Sequence, residues 1–258
     1  FGVTLLFGAA TANTVEAARR AWDLRRDQAA ALDQAVMRAR DLLARGDVRE
    51  AMTIADDVVR RSRTTAVRNG GWTAMAWAHV QRGEGHLARE AIARVSPRSA
   101  VDPLTYAAVE DSAGDPQRAR RVLDLARKHG LRSREMSKLH IDLCARDGAI
   151  DVATGLAIAD VDLLGADEAR AVLDAALDAG ENGKGALLAR RLFERHGDAR
   201  DALVEARARV SNRDVDGALS ALEQLRGVTG VDWLAVRAEP AFERLADNPR
   251  FTALVGET

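Results

Sequence analysis

The segment ARGDVREA, residues 44–51, breaks one helical run with Gly46 and places Ala51 five positions on. The same punctuation returns in QRGEGHLA (Gly83, Ala88), SAGDPQRA (Gly114, Ala119) and ARDGAIDVA (Gly148, Ala153). It returns altered in GENGKGA, where Gly180 is displaced by one from Ala186, and in SNRDVDGA, where Arg213 holds the glycine place before Ala218. The six alanines lie 37, 31, 34, 33 and 32 residues apart. Unrelated turns would not hold such a period. A repeat of this length predicts helical hairpins stacked side by side.

Local chemistry agrees with that reading. In QRARRVLDLARKHG, residues 117–130, Ala119, Val122, Leu123 and Ala126 fall on one helix face. Gly114 closes the preceding helix because it accepts positive φ without steric cost. Asp115 and Pro116 open the next one, as N-cap and first-turn proline. The small residue after each turn lets paired helices approach closely. Five prolines in 258 residues and 4% aromatic content suit a mostly helical chain with short connections.

This pattern resembles the tetratricopeptide repeat over roughly residues 29–226. The second unit carries it best, with Trp72, Ala76, Gly83, Ala88 and Pro97 at the family's characteristic places. The third matches with Tyr106, Ala107, Gly114, Ala119, Leu123 and Ala126. The first unit departs at Arg38, the fourth at His140 and Ile141, and the fifth slips by one at its turn. The resemblance implies an all-α fold: a right-handed α-solenoid of about six antiparallel helical hairpins with a C-terminal helical cap. Residues 1–28 then form an N-terminal helical segment, 29–226 the array and 227–258 the cap. In the closing segment Phe242, Leu245, Phe251 and Leu254 are positioned to cover the apolar end of the stack.

The N-terminal segment admits several readings. Residues 14–45 contain no Gly or Pro, which fits one helix near 48 Å long. The preferred alternative makes NTVEAARRAWDLRR the second helix of a truncated hairpin, since Ala17 lies 34 residues before Ala51. FGVTLLFGAATA, residues 1–12, is shorter than the ~20 apolar residues of a membrane span. It reads as a core helix, as the end of a membrane helix, or as a signal-peptide end with an A-x-A form. A start at Phe1 rather than Met fits a piece of a longer chain, with a membrane tether upstream as one option. A cytoplasmic location is expected, with a periplasmic one as the alternative.

Charge excludes some functions. Thirty-eight basic residues against 39 acidic ones give no long-range field, which disfavours a dedicated nucleic-acid binder. A single cysteine, Cys144, rules out an internal disulfide framework. His140 and Cys144 share a helix face at i and i+4, but zinc needs three or four ligands, so buried packing is the expectation. GENGKGA lacks both the Ser/Thr and the preceding strand of a phosphate loop. No acid–base or nucleophile constellation stands out, so neither enzyme activity, metal nor cofactor is expected.

What remains is a binding surface. In the resembled family the first helices of successive hairpins line a groove. Carried over by position, Arg40, Trp77, Lys138, Asp142, Arg146 and Arg207 face it. An arginine-rich groove with one tryptophan suits an extended or acidic peptide. The competing expectation is that Trp77 packs between hairpins and the arginines are solvated. The function implied is a protein-interaction scaffold. The alternative is a regulatory or sensory module, within a larger bacterial protein, that binds a peptide or small ligand.

Overall fold

The computed structural model describes residues 2–256; the side chains of 1–15, 18, 21, 22, 24, 25 and 99 lie outside the described part. With them lies the choice among core-helix, membrane-helix and signal-peptide readings of residues 1–12. No helix among the described residues is long and apolar enough to cross a membrane.

The fold class is all-α, a helical-hairpin solenoid. Two compact units divide the chain at residues 125 and 126. In the first, α1 (Gly2–Arg45) turns into α2 (Val48–Arg61), α3 (Thr65–Gln81) into α4 (Gly85–Ala93), and α5 (Pro103–Ser112) into α6 (Pro116–Lys128), whose end crosses the boundary. In the second, α7 (Arg134–Arg146) pairs with α8 (Ile150–Ala159), α9 (Ala166–Asp178) with α10 (Asn182–His196), and α11 (Ala199–Ser211) with α12 (Val215–Glu223). The short helices α13 (Trp233–Ala238) and α14 (Pro249–Gly256) follow.

The six hairpin turns are built alike. Gly46, Gly83, Gly114, Gly148 and Gly180 all adopt positive φ. Arg213 does the same at φ 63°, a conformation that costs an L-residue about 1–2 kcal/mol. In each turn this residue donates its N–H to the carbonyl three positions back. Its successor donates five back, as Glu84 does to His79 and Asp214 to Arg209. Asp115 caps α6 by accepting from the Arg118 N–H at 2.9 Å.

That shared pattern corrects the reading of the fifth unit. The first helical bond after the turn is made by Ala51, Ala88, Ala119, Ala153 and Ala218, and in the fifth unit by Gly185, to Glu181 at 2.8 Å. Gly185, not Ala186, therefore holds the close-packing place, and nothing slips. A Cβ on Gly185 would lie 2.8 Å from Leu177 Cδ2, so even an alanine is crowded there. Ala186 is also buried, one position over. Small residues at both places hid the register.

The N-terminal segment is corrected as well. α1 runs without a break from Gly2 to Arg45, so the truncated-hairpin alternative, which needs a turn near residue 28, fails. The expected boundary at 28/29 falls inside this helix, and that at 226/227 falls inside the 3-10 turn Gln224–Gly227. Lack of Gly and Pro between Thr14 and Arg45 left the helix nothing to end on.

Alanine builds much of the core. In the first unit Ala39, Ala51, Ala55, Ala74 and Ala78 pack with Leu43 between α1, α2 and α3. In the second, Leu173, Leu188 and Leu192 join Ala153, Ala157 and Ala169. The departures at His140 and Ile141 are both accommodated as buried residues of α7, while Arg38 points outward and pairs with Glu50 at 2.6 Å.

A candidate binding groove on the leading helices

Four of the leading helices, as the first helices of the hairpins are called here, reach a later element by polar contacts: α3, α7, α9 and α11. In the first unit the Trp77 indole N–H donates to the Thr105 hydroxyl at 2.8 Å. Thr105 in turn donates to Asp102 at 2.5 Å, and Asp102 caps α5 through the Thr105 N–H. In the second unit Arg134 and Lys138 of α7 both bond Glu168 of α9 at 3.2 Å. Arg170 of α9 grips Asp201 of α11 with Nε at 3.0 Å and Nη2 at 2.8 Å, and reaches Asp198 at 2.7 Å. Arg207 of α11 bonds Glu239, just before the 3-10 turn Pro240–Leu245. In each of these pairings from α7, α9 and α11 the cation sits on the earlier element and the carboxylate on the later one.

These pairs tune their carboxylates. The Gly165 N–H, donating to Glu168 Oε2 at 3.0 Å, is the largest influence holding that carboxyl down from 4.5 to about 2. Lys138 and Arg134 act in the same direction, against partial burial. Glu205 of α11 goes the other way. Burial pushes its carboxyl up, although Arg209 bonds it at 2.7 Å, and its Oε2 has no hydrogen-bond partner.

The depressed Glu168 value fixes a pH dependence. Its folded pKa lies below the unfolded one, so the ionised form adds stability above about pH 4.5, and that contribution disappears as pH falls toward 2. Wild type should therefore melt above Glu168→Gln at pH 7. The gap should close progressively between about pH 4.5 and 2 in paired thermal melts. A gap independent of pH across that window contradicts the assignment.

Between α7 and α9 a groove of about 290 Å³ opens. Ile141, Ile150, Leu164 and Val172 form its floor, and Ala145, Ala171 and Ala175 line its sides. Lys138, Asp142 and Glu168 are the polar members of the lining. It opens for two reasons. α7 and α9 touch each other less than α1 and α3 or α3 and α5 do. The alanines on their facing stripes are also too short to close the gap. The Glu168 pairs bridge the leading helices beside this groove rather than filling it.

The six expected groove residues are distributed as follows. Arg40 and Trp77 belong to the first unit, the other four to the second. Lys138 and Asp142 line the groove. Trp77, Lys138 and Arg207 are bonded to the next element, and Arg146, exposed at the end of α7, is also engaged. Arg40 is exposed beside a more open, polar hollow with Asn69, Thr73 and Pro97. Missed by spacing alone were the floor residues and the partners Thr105, Glu168 and Glu239. A signal existed. Cations at 134, 138, 170 and 207 and carboxylates at 168, 201 and 239 are offset by roughly one repeat.

The other sequence motifs resolve as structure. His140 and Cys144 are buried in α7. Among the described residues no three His, Cys, Asp or Glu side chains gather as a metal site. Gly183, Lys184 and Gly185 lie in the first turns of α10, and Lys184 bonds Asp151. In the basic run 60–63, Arg60 and Arg61 pair with Asp56 and Asp57 one turn back.

No family model and no curated protein matches this chain. Among solved structures it is similar to Pseudomonas aeruginosa PilF, a TPR-containing protein, with a TM-score of 0.52. That likeness covers 88% of this chain and 98% of the other at 15% identity. Similarity at this level concerns the fold: a TPR-like helical repeat.

Proposed function

We propose that this chain is a non-enzymatic scaffold that holds a segment of a partner protein in the groove between α7 and α9. The observation carrying this is an apolar cleft left open on the leading helices, with a polar edge and no described side chain filling it. A TPR-like fold supports protein interaction in general. The volume is at the small end of ligand pockets, which run ~300–1,000 Å³, and suits one or two inserted apolar side chains. Apolar anchors in such clefts dominate interface energies.

The test is a selection of displayed random peptides on the purified chain, followed by affinity measurements. Ala171→Trp puts an indole into the cleft from an exposed position, so folding should be retained. Selected peptides should bind this variant at least ~10-fold more weakly, a loss of about 1.4 kcal/mol. Leu187→Ser, exposed on α10 and outside the groove, should bind them normally. Peptides indifferent to Ala171→Trp would sink the proposal.

A further inference from the structure

Building on the groove reading above, we infer that the segment this cleft accepts is an apolar side chain flanked by basic residues, not an acidic peptide. The cations of this face already have acidic partners within the chain. Arg134 and Lys138 are held by Glu168, Arg170 by Asp198 and Asp201, and Arg207 by Glu239. An incoming carboxylate would have to compete for these cations with a carboxylate already bonded to each. For Arg170 that carboxylate is Asp201, 1% exposed, where an unpaired charge is heavily penalised.

The carboxylates of the same face have the opposite status. Asp142 lines the groove and is exposed, and its side chain has no ion pair or hydrogen bond among the described residues. On α9, Ala171, Asp174, Ala175 and Asp178 follow the i, i+3, i+4, i+7 spacing of one stripe. Asp174 and Asp178 are therefore next to the groove-lining alanines, and both are exposed and without ion pairs among the described residues. Three available carboxylates beside an apolar floor are complementary to lysine or arginine on either side of an apolar anchor. The geometry needs no rearrangement of the ladder, because the new pairs form with groups that have no partner. Such rim pairs act mainly on specificity and association rate, so the apolar anchor supplies most of the affinity, and the basic flanks supply selection and a smaller share of it.

The peptide selection described above reads this directly, with a second variant. Combining Asp142→Asn, Asp174→Asn and Asp178→Asn removes the three charges. As exposed substitutions without bonded partners they should leave stability within about ±0.5 kcal/mol. Selected peptides should be enriched in Lys or Arg beside an apolar residue. Their affinity should fall on the order of 10-fold in the triple variant at low salt, and by a similar factor on raising ionic strength from about 50 to 500 mM. Peptides that need an open cleft but are neutral or acidic, or that bind the triple variant unchanged, overturn this inference and leave the groove reading intact. Peptides indifferent to both Ala171→Trp and the triple variant overturn both.

Discussion

Arg170→Ala should destabilise the protein by about 3–5 kcal/mol, the loss expected when one partner of a buried ion pair is removed. The Asp201 side chain is 1% exposed and receives two of its hydrogen bonds from this one guanidinium. Alanine leaves that carboxylate in place with neither water nor cation. For a chain of this length each kcal/mol corresponds to ~2–4 °C in Tm, so the shift should be readily measured by calorimetry. Arg170→Lys should recover only part of the loss, because an ammonium cannot reproduce the two-pronged grip. Combining Arg170→Met with Asp201→Leu should approach wild type, since a well-packed apolar pair of similar volume often equals a buried ion pair. A loss under 1 kcal/mol for the alanine variant would mean that the ladder does not couple α9 to α11.

The double variant also separates two roles of the ladder. If the pairs only compensate for burying Asp201, the apolar pair restores everything. If they also set the spacing of the leading helices, the apolar pair restores Tm but alters the groove. α7 and α9 contact each other sparingly, and the bonds from Arg134 and Lys138 to Glu168 are among the few links across their gap. Helices held apart by long side chains leave room between them that alanines cannot fill, and that room is the proposed site.

This division explains what the amino-acid sequence disclosed and what it withheld. The turns were legible because their requirement is local. A positive-φ residue must sit at the break, and glycine meets that need at five of six turns. The sixth, Arg213, was still found through the period. Register within the fifth unit was not legible, because Gly185 and Ala186 are both small and only the backbone bond to Glu181 tells them apart. The resemblance to the tetratricopeptide repeat put Lys138 and Asp142 among six expected groove residues, and both line the cleft between α7 and α9. Their availability as binding groups could not be read in the same way. Whether Lys138 is available depends on Glu168, thirty residues further on, and on a distance between helices that no local pattern encodes. The apolar floor escaped for the same reason. Ile141 and Leu164 are buried core residues and Ile150 and Val172 half-buried ones, and they line a groove only where α7 and α9 fail to close.

Phe242→Ala should cost about 3–5 kcal/mol, as expected for truncating a buried aromatic ring. Phe242 is 1% exposed and packs at 6.1 Å, tilted by 46°, against Phe251. The two rings share one buried cluster with Leu245 and Leu254, with Leu219 and Leu222 of α12, and with Leu225 of the 3-10 turn that follows it. A hairpin in a solenoid is covered by its neighbour, and Phe242, Leu245, Phe251 and Leu254 pack in one cluster with residues of α11 and α12. Removing the ring therefore does more than leave a cavity. It uncovers the apolar end of α11 and α12. Hydrogen exchange should reveal the difference: amides of α11 and α12 should lose protection, while those of α2 and α3 keep theirs. Light scattering should show association through the uncovered end. Leu234→Ala, at a side chain 68% exposed in the same segment, should change stability by no more than about 0.5 kcal/mol. If Phe242→Ala loosened all hairpins equally, the closing segment would be part of a single cooperative core. If it loosened none, its burial would contribute nothing to the last hairpin. Selective loosening of α11 and α12 is the result that makes it a cap.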